Sequence, residues 1–100
     1  MTKLESGFVQ VPRKLVEKLA ITKLSPSESK LVWVIIRKTY GWQKDKDWIS
    51  HTQFHLATHI PRRHVPRTLK RLIQRQIIAT TLGDTKKPKY AIEEDTSLWE

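Results

Sequence analysis

The chain of 100 residues contains no cysteine and only three glycines. Without cysteine there is no disulfide framework and no thiolate metal site. Three glycines are too few for a loop that holds a nucleotide phosphate. The longest uninterrupted apolar run covers residues 31–36, which is far too short to span a bilayer. The N-terminal residues also lack an apolar segment of signal-peptide length. We therefore expect one small domain with no membrane partner.

Acidic side chains are missing from about a third of the chain, since no Asp or Glu occurs between Trp48 and Gly83. That run holds all four histidines and six of the 19 Lys and Arg residues. The formal net charge of +9 is therefore partly concentrated in one region. Lys and Arg displace counterions from a phosphate backbone, whereas a carboxylate there would be repelled. An ordinary solvated basic face remains the alternative, and the order of the predicted elements around the run favours a nucleic-acid contact.

Helical and strand-like patterns follow one another in a recognisable order. Apolar spacing and capping residues predict helices at 12–20, 26–40, 51–58 and 62–75, and strands at 48–49, 77–82 and 89–92. Helix, helix, short strand, helix, turn, helix and hairpin is the order of a winged-helix domain. We predict an α+β, mainly α fold: a winged helix-turn-helix with a small C-terminal β-hairpin wing. It would span residues 1–100 as a single DNA-binding domain, with 1–6 and 93–100 loosely held.

The second predicted helix has the clearest boundaries. Ser25 and Glu28 form a capping box, and Pro26 suits the first helical position. Six consecutive apolar residues indicate that this helix is covered on nearly all sides. Gly41 is placed to end it.

The fourth predicted helix is the best candidate for a recognition helix. With Val65 at the centre of its buried face, Leu69 and Leu72 lie beside it and the basic residues lie opposite. The first part of such a helix reaches base edges in the major groove, where Arg reads guanine. Predicted DNA contacts near the bases are Arg62, Arg63, His64 and Arg67. Predicted phosphate contacts are Lys70 and Arg71, and the predicted wing contacts to backbone or minor groove are Lys86, Lys87 and Lys89.

Pro66 conflicts with an ordinary helix that begins at Arg62, because proline has no N–H and its ring collides with the preceding turn. Two interpretations remain open. The helix begins late, with Pro66 in its first turn, or it begins with a distorted turn that re-aims Arg62 and Arg63.

Three histidines, His51, His55 and His59, lie on one helical stripe. Their spacing alone would allow two ligands of a zinc ion, but the Glu of the zinc-protease helix motif is missing. Packing, phosphate hydrogen bonds or pH-dependent charge are the favoured roles. No catalytic triad, paired carboxylates or phosphate loop stands out, so we predict neither an enzyme nor a cofactor or metal.

The string Arg37-Lys38-Thr39-Tyr40-Gly41-Trp42, with Asp47 and Ile49-Ser50 after it, resembles the N-terminal domain of the bacteriophage replication protein O family. The similarity covers about residues 7–80, from Gly7-Phe8 to the basic fourth helix. It implies a winged helix that binds repeated sites in a phage replication origin, in the cytoplasm of the bacterial host. The chain departs from the family pattern at His59, Pro61 and Pro66.

The leading hypothesis is sequence-specific binding of double-stranded DNA at a phage-type replication origin. A homodimer on inverted half-sites fits that function, with helix 1, Leu98 or Trp99 as candidate contacts. The resemblance places helicase recruitment further C-terminal, so it is not expected from this chain alone. The alternative is a winged-helix transcriptional regulator that binds operator DNA, and a third class is a winged helix used for protein contact.

Overall fold

The computed structural model describes residues 9–81 and 87–100. Within them lie four α-helices and three β-strands, in the predicted order. Their bounds are Arg13–Ile21 (α1), Pro26–Thr39 (α2), Asp47–Trp48 (β1), His51–Thr58 (α3), Val65–Gln74 (α4), Ile78–Thr81 (β2) and Lys89–Ile92 (β3). Short 3₁₀ turns occupy Tyr40–Trp42, Arg62–His64 and Thr96–Leu98. The predictions for residues 1–6 and for Lys86 lie outside the described residues.

The N-terminus of α2 has the capping box that its sequence predicts. The Glu28 N–H donates to Ser25 Oγ at 3.2 Å, and the Ser25 N–H donates to Glu28 Oε1 at 2.9 Å. Pro26 occupies the first turn, where its missing N–H costs no hydrogen bond. These local bonds fix where the helix begins.

The prediction that α2 is covered on nearly all sides is wrong for one side. Leu31, Val32 and Ile35 are fully buried, but Trp33 is 51% exposed and Val34 is only partly buried. α2 contacts α3, α4 and the sheet, but none of these elements covers Trp33 completely. An apolar strip of α2 therefore stays open to solvent.

The C-terminus of α2 is also different from the prediction, because Gly41 does not turn the chain. The helix passes into the 3₁₀ turn, and Gln43 takes the left-handed conformation with φ 56°. The N–H of Gln43 donates to the Tyr40 carbonyl at 3.1 Å, and the N–H of Lys44 donates to the Thr39 carbonyl at 2.8 Å. These are the two bonds of a Schellman motif, formed here with glutamine in the position that glycine usually takes.

The three strands form one antiparallel sheet in the order β1-β3-β2. Ile78 lies opposite Ile92 and Thr80 lies opposite Tyr90, so alternate residues of the hairpin face the helices. Phe54 of α3 meets Tyr90 edge to face, with ring centroids 5.6 Å apart. This contact fixes α3 against the sheet that carries the wing.

The core joins the helix-turn-helix to the sheet. Its buried apolar residues are Leu15, Leu31, Val32, Ile35, Ile36, Ile49, Phe54, Ile60, Val65, Leu69, Leu72, Ile77, Ile78, Tyr90, Ile92 and Trp99. No helix in residues 9–81 and 87–100 is both long enough and apolar enough to cross a membrane.

The turn between α3 and α4 is held by side chains of α3 itself. The Thr58 hydroxyl donates to the Phe54 carbonyl at 2.7 Å and accepts from the Ile60 N–H at 3.2 Å. His55 Nδ1 lies 2.7 Å from the Ile60 carbonyl oxygen, and since a carbonyl only accepts, Nδ1 carries the proton. The His55 side chain therefore stabilises the turn.

Replacing His59 with glycine is expected to stabilise the domain. His59 ends α3 with φ 64°, a left-handed conformation that costs most L-residues about 1–2 kcal/mol and costs glycine almost nothing. The greater freedom of glycine in the unfolded chain removes part of that gain, so we expect about 0.5 kcal/mol net. Thermal denaturation measures it, with Lys70→Gly at an exposed interior position of α4 as the destabilising control. A lower melting temperature for His59→Gly would contradict this account of the turn.

The acidic tail is firmly packed, which corrects the prediction that residues 93–100 are loosely held. Trp99 is only 8% exposed, and its indole N–H donates to the Glu93 carbonyl at 2.9 Å. The Tyr40 hydroxyl donates to Glu94 at 2.8 Å, and the Glu100 N–H donates to the Arg75 carbonyl at 2.7 Å. Burial of the large indole outweighs the polarity of its neighbours. Trp99 is therefore not available as an exposed dimer contact.

Candidate nucleic-acid interface

The late start of α4 resolves the conflict at Pro66. The helix begins at Val65, so Pro66 falls in its first turn, where no helical hydrogen bond is lost. The preceding residues form a separate 3₁₀ turn, closed by the His64 N–H donating to the Pro61 carbonyl at 2.8 Å. Neither Pro61 nor His64 makes a side-chain cap bond. Arg62 and Arg63 thus precede α4 on a tight turn and are not part of the helix.

The two sides of α4 differ as predicted. Val65, Leu69 and Leu72 are at most 2% exposed. Thr68, which the apolar pattern did not mark, is also buried, and its hydroxyl donates to the His64 carbonyl at 3.0 Å. The exposed residues on the other side are Pro66, Arg67, Lys70, Arg71 and Gln74. One face of α4 is therefore cationic and free of carboxylates.

The 3₁₀ turn adds further charge at the N-terminal end of this face. Arg62 and Arg63 are exposed, and His64 is half-buried. Arg63 Nε donates to His64 Nε2 at 3.3 Å. Because a guanidinium only donates, Nε2 is the acceptor and the ring proton lies on Nδ1. His64 therefore orients Arg63 and leaves its remaining donors exposed.

The base of the wing supplies two more exposed lysines. Lys89 lies on β3 opposite Trp48 of β1, and the Lys87 ammonium lies 4.7 Å from the centre of the Trp48 ring. This cation–π contact holds Lys87 against the sheet. Trp48 is 36% exposed, and its contact with Lys87 was not predicted, because the sequence pattern marks the residue only as part of a strand. The signal was a bulky aromatic side chain on a strand only two residues long.

Arg75 is withdrawn from the basic face, although it belongs to the acid-free run. Its Nη1 lies 3.2 Å from Glu28 Oε2 in an ion pair. Its Nη2 donates to the Lys23 carbonyl and its Nε to the Glu100 carbonyl, both at 2.9 Å. The guanidinium thus joins the end of α4 to the start of α2 and to the tail. A residue pair 47 positions apart leaves no local sequence signal.

The carboxyl of Glu28 is held ionised by this arrangement. Burial alone raises its pKa, but the Ser25 N–H and the Arg75 guanidinium stabilise the carboxylate. The net result is a pKa below the usual value for glutamate. The ionised pair contributes stability above the pKa of glutamate in the unfolded chain.

Acid is therefore expected to weaken the fold through Glu28. A lowered native pKa means that this contribution is present above the unfolded pKa and is lost as the pH falls through the native pKa. Glu28→Gln keeps an oxygen for the Ser25 N–H but carries no charge. The difference in unfolding free energy between wild type and this variant should shrink as the pH falls from about 6 through the lowered native pKa of Glu28. Urea denaturation measures it, and exposed Glu17→Gln is the control. A difference that stays constant over this range would contradict the pairing.

The three histidines on α3 and its turn do not form a metal centre. Within residues 9–81 and 87–100, no group of three His, Asp or Glu side chains is placed to hold a metal ion. His55 is engaged in the turn, while His59 is exposed at the end of α3.

Taken together, these elements define the class of the protein: a mainly helical α+β domain of the winged-helix type, whose fourth helix has an exposed basic face. The chain belongs to the bacteriophage replication protein O family, whose profile matches residues 1–99. The resemblance seen in the sequence is thereby confirmed. This membership connects the chain with phage DNA replication.

Individual relatives agree with the family match. The chain is 29% identical over 75 residues to replication protein O of Escherichia phage lambda. It is 28% identical over 99 residues to replication protein 15 of Enterobacteria phage phi80, and 32% identical over 54 residues to DNA replication protein gp18 of Salmonella phage P22. These matches cover 75%, 99% and 54% of the chain but only 22%, 32% and 20% of the relatives. No solved structure gives a significant match.

Proposed function

We propose that this chain binds double-stranded DNA sequence-specifically at a phage replication origin. The observation that carries the proposal is the exposed face of α4, where Arg67, Lys70 and Arg71 stand together without a carboxylate. Membership in a phage replication family supplies the biological setting. The proposal concerns this domain and not the remaining length of the relatives, so helicase recruitment is not assigned to it.

In the proposed complex, the 3₁₀ turn Arg62–His64 and the N-terminal half of α4 enter the major groove. Arg63 and Arg67 are then placed to donate to guanine O6 and N7, and His64 holds Arg63 in position. Lys70 and Arg71 follow along the helix and contact phosphates. Lys87 and Lys89 at the base of the wing contact the neighbouring backbone. The carboxylate-free surface lets all these groups approach the phosphates without repulsion.

We further propose that two copies bind inverted half-sites, because the symmetry of a dimer matches that of a palindromic site. The burial of Trp99 leaves α1 and Leu98 as the candidate contacts. Val16 and Ile21 of α1 are 46% and 79% exposed, and Leu98 is also exposed. Because these side chains are apolar, two basic domains can come into contact through them without bringing like charges together.

The test is a titration of labelled duplexes that together cover the replication region of the source phage. Fluorescence anisotropy near physiological salt should give tight binding to one or a few segments. Those segments should be bound at least about a thousandfold more tightly than a shuffled duplex. Equal affinity for all segments, with a steep loss on added salt, would contradict sequence-specific binding and leave only phosphate attraction.

A further inference from the structure

The exposed side of α2 lines a groove that contains none of the residues proposed to contact DNA. The groove has a volume of 580 Å³ and is lined by Lys30, Trp33, Val34, Arg37, Ala57 and Thr58. The four α2 residues are spaced i, i+3, i+4 and i+7, so they share one face of the helix. The wall opposite comes from the last turn of α3.

The floor of this groove is apolar and offers no unpaired polar group. Trp33 is half exposed and Val34 is partly buried beside it. The Thr58 hydroxyl is already used on both sides, as donor to Phe54 and acceptor from Ile60. Trp33, Val34 and Ala57 together form an apolar surface between two charged residues, and apolar surface rimmed by polar residues is typical of an interaction site.

The rim of the groove is cationic at both ends. Lys30 and Arg37 stand seven residues apart on α2, which corresponds to about 10 Å along the helix axis. No carboxylate forms an ion pair with either of them within residues 9–81 and 87–100. The groove thus combines an apolar centre with a positive charge at each end.

We infer that this groove binds an acidic amphipathic helix of a partner protein. Such a helix would place an apolar side chain on Trp33 and Val34, and carboxylates two turns apart on Lys30 and Arg37. A second copy of this chain fits less well, because its net charge of +9 would bring like charges onto a basic rim. A phosphate backbone would match the rim but not the apolar floor.

The test uses a synthetic helical peptide of about 14 residues. Its two glutamates are seven residues apart, as Lys30 and Arg37 are on α2. Leucines lie between the glutamates on the same face of the peptide helix. A second peptide carries lysines in place of the glutamates. Titration into ¹⁵N-labelled protein should shift the backbone resonances of residues 30–37 and 57–58 with the acidic peptide only. Equal binding of the two peptides, or no binding of the acidic one, would overturn the inference.

Two variants locate the binding. The side chain of Trp33 is exposed. The variant Trp33→Ala should weaken binding of the acidic peptide at least about tenfold. The double variant Lys30→Glu/Arg37→Glu should reverse the preference, so that the lysine peptide binds and the acidic one does not. An unchanged preference in the double variant would overturn the inference even if Trp33→Ala failed to fold.

Two further observations would also overturn it by assigning the groove to another occupant. Sedimentation equilibrium could show a dimer that Trp33→Ala abolishes, which would make the groove a self-association surface. Duplex DNA could shift the same resonances and displace the acidic peptide, which would make it part of the DNA interface. We expect neither result, and the proposed DNA binding stands or falls independently of both.

Discussion

Replacing both Arg63 and Arg67 with alanine is expected to abolish most of the sequence preference of this domain. Each guanine contact that is lost should cost about 1–3 kcal/mol of specific binding. Affinity for a shuffled duplex should fall much less, because the phosphate contacts remain. Both side chains are exposed and neither is part of the core, so the thermal stability of the domain should be unchanged. The measurement is anisotropy with the specific and the shuffled duplex in parallel.

Two comparisons show whether this loss comes from base reading or from charge alone. Arg13→Ala/Arg37→Ala removes the same net charge from α1 and α2 and should retain the site preference. Lys70→Ala should weaken specific and shuffled duplexes to a similar extent and lower the salt slope by about one. If Arg63→Ala/Arg67→Ala behaved like either comparison variant, the start of α4 and the 3₁₀ turn before it would not be the elements that read the bases.

Replacing Arg75 with alanine is expected to destabilise the fold by about 3 kcal/mol, because the buried carboxylate of Glu28 would lose its partner. This loss of stability lies at the lower end of the range for a broken buried ion pair, since a quarter of the Arg75 side chain is exposed. The substitution also removes the donors to the Lys23 and Glu100 carbonyls. Urea denaturation measures the loss, and the exposed Arg71→Ala serves as a matched control with little expected effect.

A double-mutant cycle separates the ion pair from the other bonds of Arg75. In a Glu28→Gln background no buried charge is left unpaired, so Arg75→Ala should cost clearly less than it does in the wild type. The difference between the two costs is the coupling of the pair. Equal costs in both backgrounds would show that Arg75 acts only through the two carbonyls.

The parts of the fold that could be predicted from sequence are those set by neighbouring residues. Ser50 and Gln53 start α3 through a capping box, with hydrogen bonds of 3.1 and 2.9 Å, and the predicted bounds 51–58 are those observed. The basic and apolar faces of α4 follow from its 3.6-residue period. Local chemistry therefore placed the helix-turn-helix and its outward-facing cations.

The features that escaped prediction depend on residues far apart in the chain. In the sequence, Arg75 has the pattern of one more exposed cation at the end of a basic helix. Only the fold brings it into contact with the Glu28 carboxylate and the Glu100 carbonyl. The polar sequence of the tail predicts loose order, yet Trp99 is buried in the core. Trp33 reads as buried within an apolar run, but no element of the described chain covers it. Packing partners, not local propensity, decided each of these cases.

Selection of bound duplexes from a random pool, near physiological salt, tests the central claim most directly. The account predicts one enriched motif, containing guanines within reach of Arg63 and Arg67, that recurs as repeats in the replication region of the source phage. Two inverted copies within the motif would also support the dimer. A pool that stays random, with retention that simply falls as salt is added, would contradict sequence-specific origin binding. The basic face of α4 would then be a nonspecific phosphate contact.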